Sequence, residues 1–282
     1  MSTERAPITI ETDARNLRLV KTNYPDIDLT NPDNLINAMK SKYKPRSIKT
    51  YLISVYNHFK AKNNTHVADL YRKRFTEYAV EINKVERKQE LSEAEKDKFV
   101  DWDTIVKAYN EIQADTKITD ESKLLASFYV RLPPARVDYA KLKIYKEKPK
   151  EDKGNYIVLD KYAPFVKINE HKTSKTYGPL QHPLPAELLT EINAYLSKNP
   201  ELTTLFDMSE LTMSKRIIAT FQKKTGKRIG VNILRHAFIT KFKEGEKPLL
   251  DKIDLAKKMG HSTAMQDLYR RLVPAGGAGA PE

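Results

Sequence analysis

Apolar residues recur at helical spacing through the first part of the chain. In "NPDNLINAMK", Leu35, Ile36 and Met39 share a face behind Pro32, a residue suited to a first helical turn. In "SKYKPRSIKTYLISVYNHFKAKN", Ser47 is placed to cap a helix carrying Ile48, Leu52, Val55 and Phe59 on one side. A longer pattern from Val67 to Arg87, with Leu70, Phe75, Tyr78, Ile82 and Val85, completes an all-helical block that follows a polar leader. The run "ERKQELSEAEKDKFVDW" is charged and poor in core residues until Phe99 and Trp102, which places a linker at 91–100 between a helical domain at 1–90 and a second domain at 101–273.

The second block opens on the helices "DWDTIVKAYNEIQ" and "DESKLLASFYVRL" and then changes period. "YAKLKIYKE", "GNYIVLDKY" and "PFVKINEHKTSKTYGPLQHPLP" are short, partly alternating and bounded by turn residues, which predicts a three-stranded antiparallel insert. Helical spacing resumes in "AELLTEINAYLSKN", "MSKRIIATFQKKTG", "NILRHAFITKF", "PLLDKIDLAKKMG" and "TAMQDLYRRL". The fold class is therefore mainly α with a small antiparallel β-sheet. The closing "PAGGAGAPE" places a flexible tail at 274–282.

Composition narrows the chemistry. At 282 residues, with 40% hydrophobic and 31% charged positions, the chain has the makings of a folded globular protein. No apolar run has the length of a membrane span and the start lacks a signal-peptide core, so the expectation is an intracellular protein without a membrane partner. The absence of cysteine excludes disulfides, thiolate metal sites and cysteine nucleophiles, and the six histidines are scattered, so no metal and no cofactor are expected. A formal charge of +13 points towards polyphosphate partners. Lys42, Lys44, Arg46 and Lys49 crowd the start of one helix, where positive charge gains nothing from the helix dipole, so they read as contacts to DNA phosphates or as a solvated basic turn.

In the second block, "NILRHAFITKF" buries Ile233, Leu234, Ala237 and Phe238 and leaves Asn232 and Arg235 on another face. Gly260 is placed to end a helix in a left-handed cap, Thr263 and Gln266 form a capping-box pattern for the next, and His261 lies in the corner between them. Tyr269 follows about two turns on. The plain reading of these residues is a surface arginine, a helix end and a tyrosine packed on the core. Arg136 follows two prolines ahead of the first strand, Lys172 and Lys175 occupy the turn in "EHKTSKTYG", His236 reads as structural support, and His171 and His182 read as surface positions.

Taken in order, Arg136 in "ARVDYAKLKI", Lys172 in "KT", "LRHAFIT", "MGHS" and Tyr269 resemble the tyrosine recombinase (phage-integrase-like) catalytic domain. The resemblance covers about Asp101 to Leu272, while the first block fits more loosely as a core-binding, DNA-clamping domain with its "KPRSIKTYL" helix. "PPARVDY" is closer to the integrase-like proteins of large DNA viruses and mobile elements, which would place the chain in the cytoplasm, nucleus or viral factory of a host and link it to viral genome integration.

The resemblance implies DNA strand breakage and rejoining through a 3′-phosphotyrosyl intermediate, without metal or ATP. Arg136 and Arg235 would clamp the nonbridging oxygens, as planar guanidinium forks do better than point charges. His261 would add a hydrogen bond, Lys172 would protonate the 5′ leaving oxygen with Lys175 as the other candidate, and Tyr269 would be the nucleophile. The implied partners are double-stranded DNA and further copies of the chain, as a tetramer on paired sites. Asn232 stands where the family commonly has histidine, and the spacing from His261 to Tyr269 is one residue shorter than usual. Little chain follows Tyr269, so the C-terminal helix by which many relatives dock on a neighbouring subunit is either missing or cut off, and docking through the C-terminus stays open. A type IB topoisomerase and a catalytically inactive DNA-binding protein of the same fold remain as alternatives; a metal-dependent nuclease would need clustered carboxylates, which Asp138 alone does not supply.

Overall fold

A computed structural model describes residues 7–90 and 99–270. The expected linker at 91–100 lies almost wholly outside the described residues, as do the 274–282 tail and positions 271–273 of the expected second domain. The chain divides into two compact units, Met1–Lys88 and Gln89–Glu282.

The first unit consists, among the described residues, of helices α1 (Pro7–Asn23), α2 (Pro32–Lys40), α3 (Pro45–Ala61) and α4 (Thr65–Arg87). Their core joins Val20, Leu35, Ile36, Met39, Ile48, Leu52, Val55, Val67 and Tyr71, and burying each large aliphatic among them contributes about 1.5–3 kcal/mol. The polar leader is in fact α1. Hydrophobic spacing misses it because its inward positions are only Asn16 and Val20, and it docks on α3 through polar groups. The Asn16 amide donates to the Ser54 hydroxyl (3.1 Å), which donates to Asp13 (2.8 Å), and the Asn57 amide reaches the same carboxylate (2.9 Å).

Two boundary readings are also corrected. Helix α3 starts at Pro45 with Lys44 as its N-cap, so Ser47 lies inside the first turn and caps nothing. Helix α4 turns Val67, Ala68 and Tyr71 inward and leaves Leu70 and Val85 exposed. The Tyr71 hydroxyl, donating to the Leu29 carbonyl at 3.0 Å, fixes that rotation.

The second unit follows the order α5 (Trp102–Ala114), α6 (Asp120–Arg131), β1 (Lys143–Tyr145), β2 (Asn155–Val158), β3 (Phe165–Ile168), α7 (Ser174–Tyr177), β4 (Leu180–Pro183), α8 (Ala186–Lys198), α9 (Glu210–Thr225), α10 (Val231–Phe242), α11 (Leu249–Lys258) and α12 (Thr263–Tyr269). Asp101 and Thr119 cap α5 and α6 by accepting from the Thr104 and Ser122 amides. The chain is mainly α with a small sheet, and the sheet corrects the expected topology. It has four strands in the order β1-β2-β3-β4, with β1 parallel to β2 and the other neighbours antiparallel. The third β-prone stretch folds into two strands, β3 and β4, around the turn that carries Lys172. Alternation reports which face is buried and is blind to strand direction.

Helix α10 joins two cores. Val231, Leu234 and Ala237 enter the main core with Phe128 and Phe221, whereas Ile239 enters a second cluster with Leu255 and Met259, against which Phe238, Phe242 and Tyr269 pack. A side chain on α10 between these clusters is largely withdrawn from water. Arg235 stands there.

Candidate active site

The corner after α11 is built by backbone hydrogen bonds. The Gly260 amide donates to the Lys257 carbonyl and the His261 amide to the Ala256 carbonyl, both at 3.1 Å, which is the paired closure of a Schellman motif. Gly260 takes φ 63°, the left-handed region where a side chain is strained. His261 is thereby fixed in the first position after the turn. The next helix is capped by Ser262, whose hydroxyl accepts from the Met265 amide; this corrects the Thr263–Gln266 capping box. Gln266 is instead buried and donates to the Lys252 carbonyl at 3.0 Å, tying α12 to α11.

Arg235 is 1% exposed, which corrects its reading as a surface face of α10. Its guanidinium donates to the Pro134 carbonyl and, at 3.3 Å, to the Met259 carbonyl, and its Nε has no partner. Burial lowers its pKa, with Arg136 adding in the same direction and Tyr269 and Asp138 opposing. This buried cation, held by the Pro134 and Met259 carbonyls and by the Tyr269 side chain, would gain from an incoming anion, because negative charge recovers what desolvation cost. Arg136 is near enough to act electrostatically on both Arg235 and His261. Its backbone is held at both ends: its amide donates to Asp138 at 3.0 Å and its carbonyl accepts from the Tyr129 hydroxyl at 2.5 Å.

The ring of Tyr269 is bounded by three groups. The Arg235 guanidinium carbon lies 5.4 Å from its centroid, the His261 ring stacks at 5.6 Å, and the His236 ring tilts against it at 4.8 Å. His236 Nδ1 lies 2.7 Å from the Tyr269 carbonyl, so that nitrogen is the donor and anchors the end of α12. Tyr269 is also part of the packing around Ile239 and Met259. The plain reading of a packed tyrosine is thus met where the ring joins that cluster.

His261 is 4% exposed and its pKa is pushed down to about 4, first by burial and then by Arg235. Its Nδ1 faces the Ser262 carbonyl at 3.1 Å, and a carbonyl only accepts, so Nδ1 carries the proton. In the neutral ring Nε2 is therefore a bare acceptor, and it is buried without a partner. Such a nitrogen takes a proton before it can donate one.

The remaining candidates stand apart from this group in their exposure. Asn232 is exposed in the first turn of α10, and Lys172 and Lys175 are both exposed, one before and one within α7. Lys42, Lys44 and Arg46 are exposed in the first unit and Lys49 is half-buried; Lys42 lies over the Tyr43 ring and Arg46 forms an ion pair with Glu86. Two histidines read as surface positions are corrected. His182 on β4 is 2% exposed with its pKa lowered to about 4 by burial. His171 is half-buried, with Nε2 donating to the Gly178 carbonyl at 2.8 Å. Sequence reasoning also passed over Thr173, whose hydroxyl donates to the Gly260 carbonyl at 2.8 Å. No local pattern marks a contact between residues so far apart in the chain.

Among the described residues no group of three or more histidines or carboxylates is placed to hold a metal ion, and no helix is long and apolar enough to cross a membrane. No protein-family model matches the chain, and no curated protein matches it. Among solved structures, the crystal structure of XerA recombinase is similar at 14% identity and a TM-score of 0.46, covering 96% of this chain and 89% of that one.

Proposed function

We propose that this chain is a site-specific DNA recombinase that breaks and rejoins strands through Tyr269. The observation that carries the reading is the meeting at one tyrosine of a buried arginine and a buried histidine with an unpartnered nitrogen, both within the electrostatic reach of a second arginine, Arg136. These groups suit a phosphodiester. Two guanidinium forks neutralise the nonbridging oxygens, and a water-excluded, pre-set site makes each contact stronger in the transition state than it would be in water.

The step balances on this chain's own groups and water. The Tyr269 oxygen forms a bond to phosphorus while the bond from phosphorus to the 5′ oxygen breaks. The phenolic proton leaves to water, and His261, whose Nε2 takes up a proton when the phosphate brings its negative charge, donates to a nonbridging oxygen. Lys172, or Lys175 in its place, gives a proton to the departing 5′ oxygen, with Asn232 as a further hydrogen-bond donor to the phosphate. The 3′-phosphotyrosyl bond conserves the phosphodiester, so a 5′ hydroxyl can reverse the reaction without ATP. Lys42, Lys44, Arg46 and Lys49 would contact the DNA backbone from the first unit, and exchange between two duplexes calls for a tetramer on paired sites.

The test is covalent trapping. Duplexes of randomised sequence, nicked so that the cleaved piece diffuses away, are incubated with the protein in EDTA. An adduct at a 3′ phosphate with a free 5′ hydroxyl is expected from the parent protein and none from Tyr269→Phe, with DNA binding nearly equal, since one hydroxyl adds little to many phosphate contacts. An adduct that persists in Tyr269→Phe moves the nucleophile elsewhere; no adduct from the parent, on its target and fully assembled, returns Tyr269 to a packing role.

A further inference from the structure

The turn between β3 and β4 carries two exposed lysines, and exposure does not distinguish them. The residues around them do. Thr173 occupies the N-cap position of α7, where a threonine hydroxyl ordinarily accepts from the helix's own amides, yet it makes no such bond. Its hydroxyl points the other way and donates to the Gly260 carbonyl at 2.8 Å, joining positions 87 residues apart. On the other side of Lys172, the His171 ring reaches the same glycine: a Cβ at Gly260 would stand 3.2 Å from its Cε1. His171 Nε2 meanwhile donates to the Gly178 carbonyl at 2.8 Å, which closes the turn on itself. Thr173 is therefore bonded to the residue that precedes His261, and the His171 ring, whose Nδ1 lies 3.3 Å from Thr173 Oγ1, stands beside it. Lys175 lies inside α7, and that turn closes internally, with the Gly178 amide on the Ser174 carbonyl at 2.8 Å.

We infer that Thr173 is a positioning residue: its bond to Gly260 registers the turn on the His261–Tyr269 corner and makes Lys172, not Lys175, the lysine that serves the leaving oxygen. The inference rests on the proposed strand-transfer reaction for its chemistry, but the latch itself exists without DNA. A bond at this place acts at a distance on a proton transfer, whose rate is sensitive to misplacement by an ångström.

The test separates the latch from the reaction. In the free, full-length protein, amide hydrogen exchange across 171–178 and at Gly260–His261 should quicken in Thr173→Val, which keeps the shape and loses the hydroxyl, and stay at the parental rate in Thr173→Ser. Cleavage is then followed in single turnover on randomised duplexes with one scissile linkage whose bridging 5′ atom is oxygen or sulfur. A thiolate departs without a proton, so only defects in acid delivery are repaired by sulfur. On oxygen, Thr173→Val should slow cleavage by about tenfold to a hundredfold with unchanged DNA binding, and sulfur should restore it. Lys172→Ala should show the same pattern more strongly, and Thr173→Ser should match the parent. Unchanged exchange in Thr173→Val, an equal defect on both linkages, or sulfur rescue of Lys175→Ala in place of Lys172→Ala each overturns the inference. If the parent cleaves neither linkage, the strand-transfer reading fails with the assignment of Lys172, and the exchange data still decide the latch.

Discussion

The imidazole of His261 lies face to face with the ring of Tyr269, their centroids 5.6 Å apart and their planes 19° from parallel. The Schellman turn at Gly260 fixes the histidine and the short α12 returns the tyrosine to it. Eight positions of chain thus become one surface beside a buried arginine.

Arg235→Lys keeps a charge and loses the fork. A single ammonium cannot meet the Pro134 and Met259 carbonyls in the same geometry, so unfolding free energy should fall by about 1–3 kcal/mol. Cleavage should fall by about a hundredfold or more, beyond what reduced stability explains. Urea unfolding and single-turnover trapping measure the two effects, and parental cleavage in this variant would remove Arg235 from the clamp.

Gly260→Ala meets two costs, a left-handed φ of 63° and a contact 3.2 Å from His171. Gly226→Ala shares the first, at φ 68°, with nothing within 4 Å of its new methyl group. Both should lose about 1–2 kcal/mol of stability from the backbone alone. Only Gly260→Ala should also slow adduct formation, because only it displaces the corner under His261. Equal kinetics in the two variants, compared at matched folded fraction, would count against a positioning role for that turn.

Stability should decline as the solution is acidified, in part through His182. Burial holds its imidazole neutral in the fold, down to about pH 4, while the unfolded chain protonates near the ordinary value of about 6.5. Between those values the unfolded state binds more protons. Stabilisation present at pH 7 is therefore lost as pH falls through that window, by up to about 3 kcal/mol. His261 acts in the same direction, so His182→Leu should flatten the profile without abolishing it. A slope identical to the parent's, from urea titrations at several pH values, would mean that His182 is hydrated.

Asn232 is a polar donor in an exposed first turn. Asn232→Ala should slow cleavage by about tenfold to a hundredfold through one missing hydrogen bond. Asn232→His should keep or modestly raise the rate. A rate for Asn232→Ala equal to the parent's places the residue outside the phosphate's reach.

In the first unit, Lys42, Lys44 and Lys49 changed singly to Gln should each weaken binding to random duplex and reduce the salt slope by about one. Arg46→Gln should do less, since its guanidinium already pairs with Glu86. Affinity measured across a salt series would show it, and four equal effects would mean that the Glu86 pair opens on DNA.

Much of this molecule is legible one segment at a time. Leu35, Ile36 and Met39 announce α2, Gly260 announces the end of α11, and the β-prone stretches announce a sheet, because helix periodicity, a left-handed cap and alternation are properties of neighbouring residues. The candidate site was legible as an order of residue types, from Arg136 to Tyr269, without any sign of how they meet. What tertiary structure decided has no local signature. It folded α1 onto α3 through Asn16, Ser54 and Asp13, where hydrophobic spacing is silent. It set β1 parallel to β2, buried His182, and withdrew Arg235 from water by placing it between two cores. Burial, electrostatic proximity and a hydroxyl spanning from Thr173 to Gly260 depend on which distant segments pack together, and the free energy of that packing belongs to the whole fold.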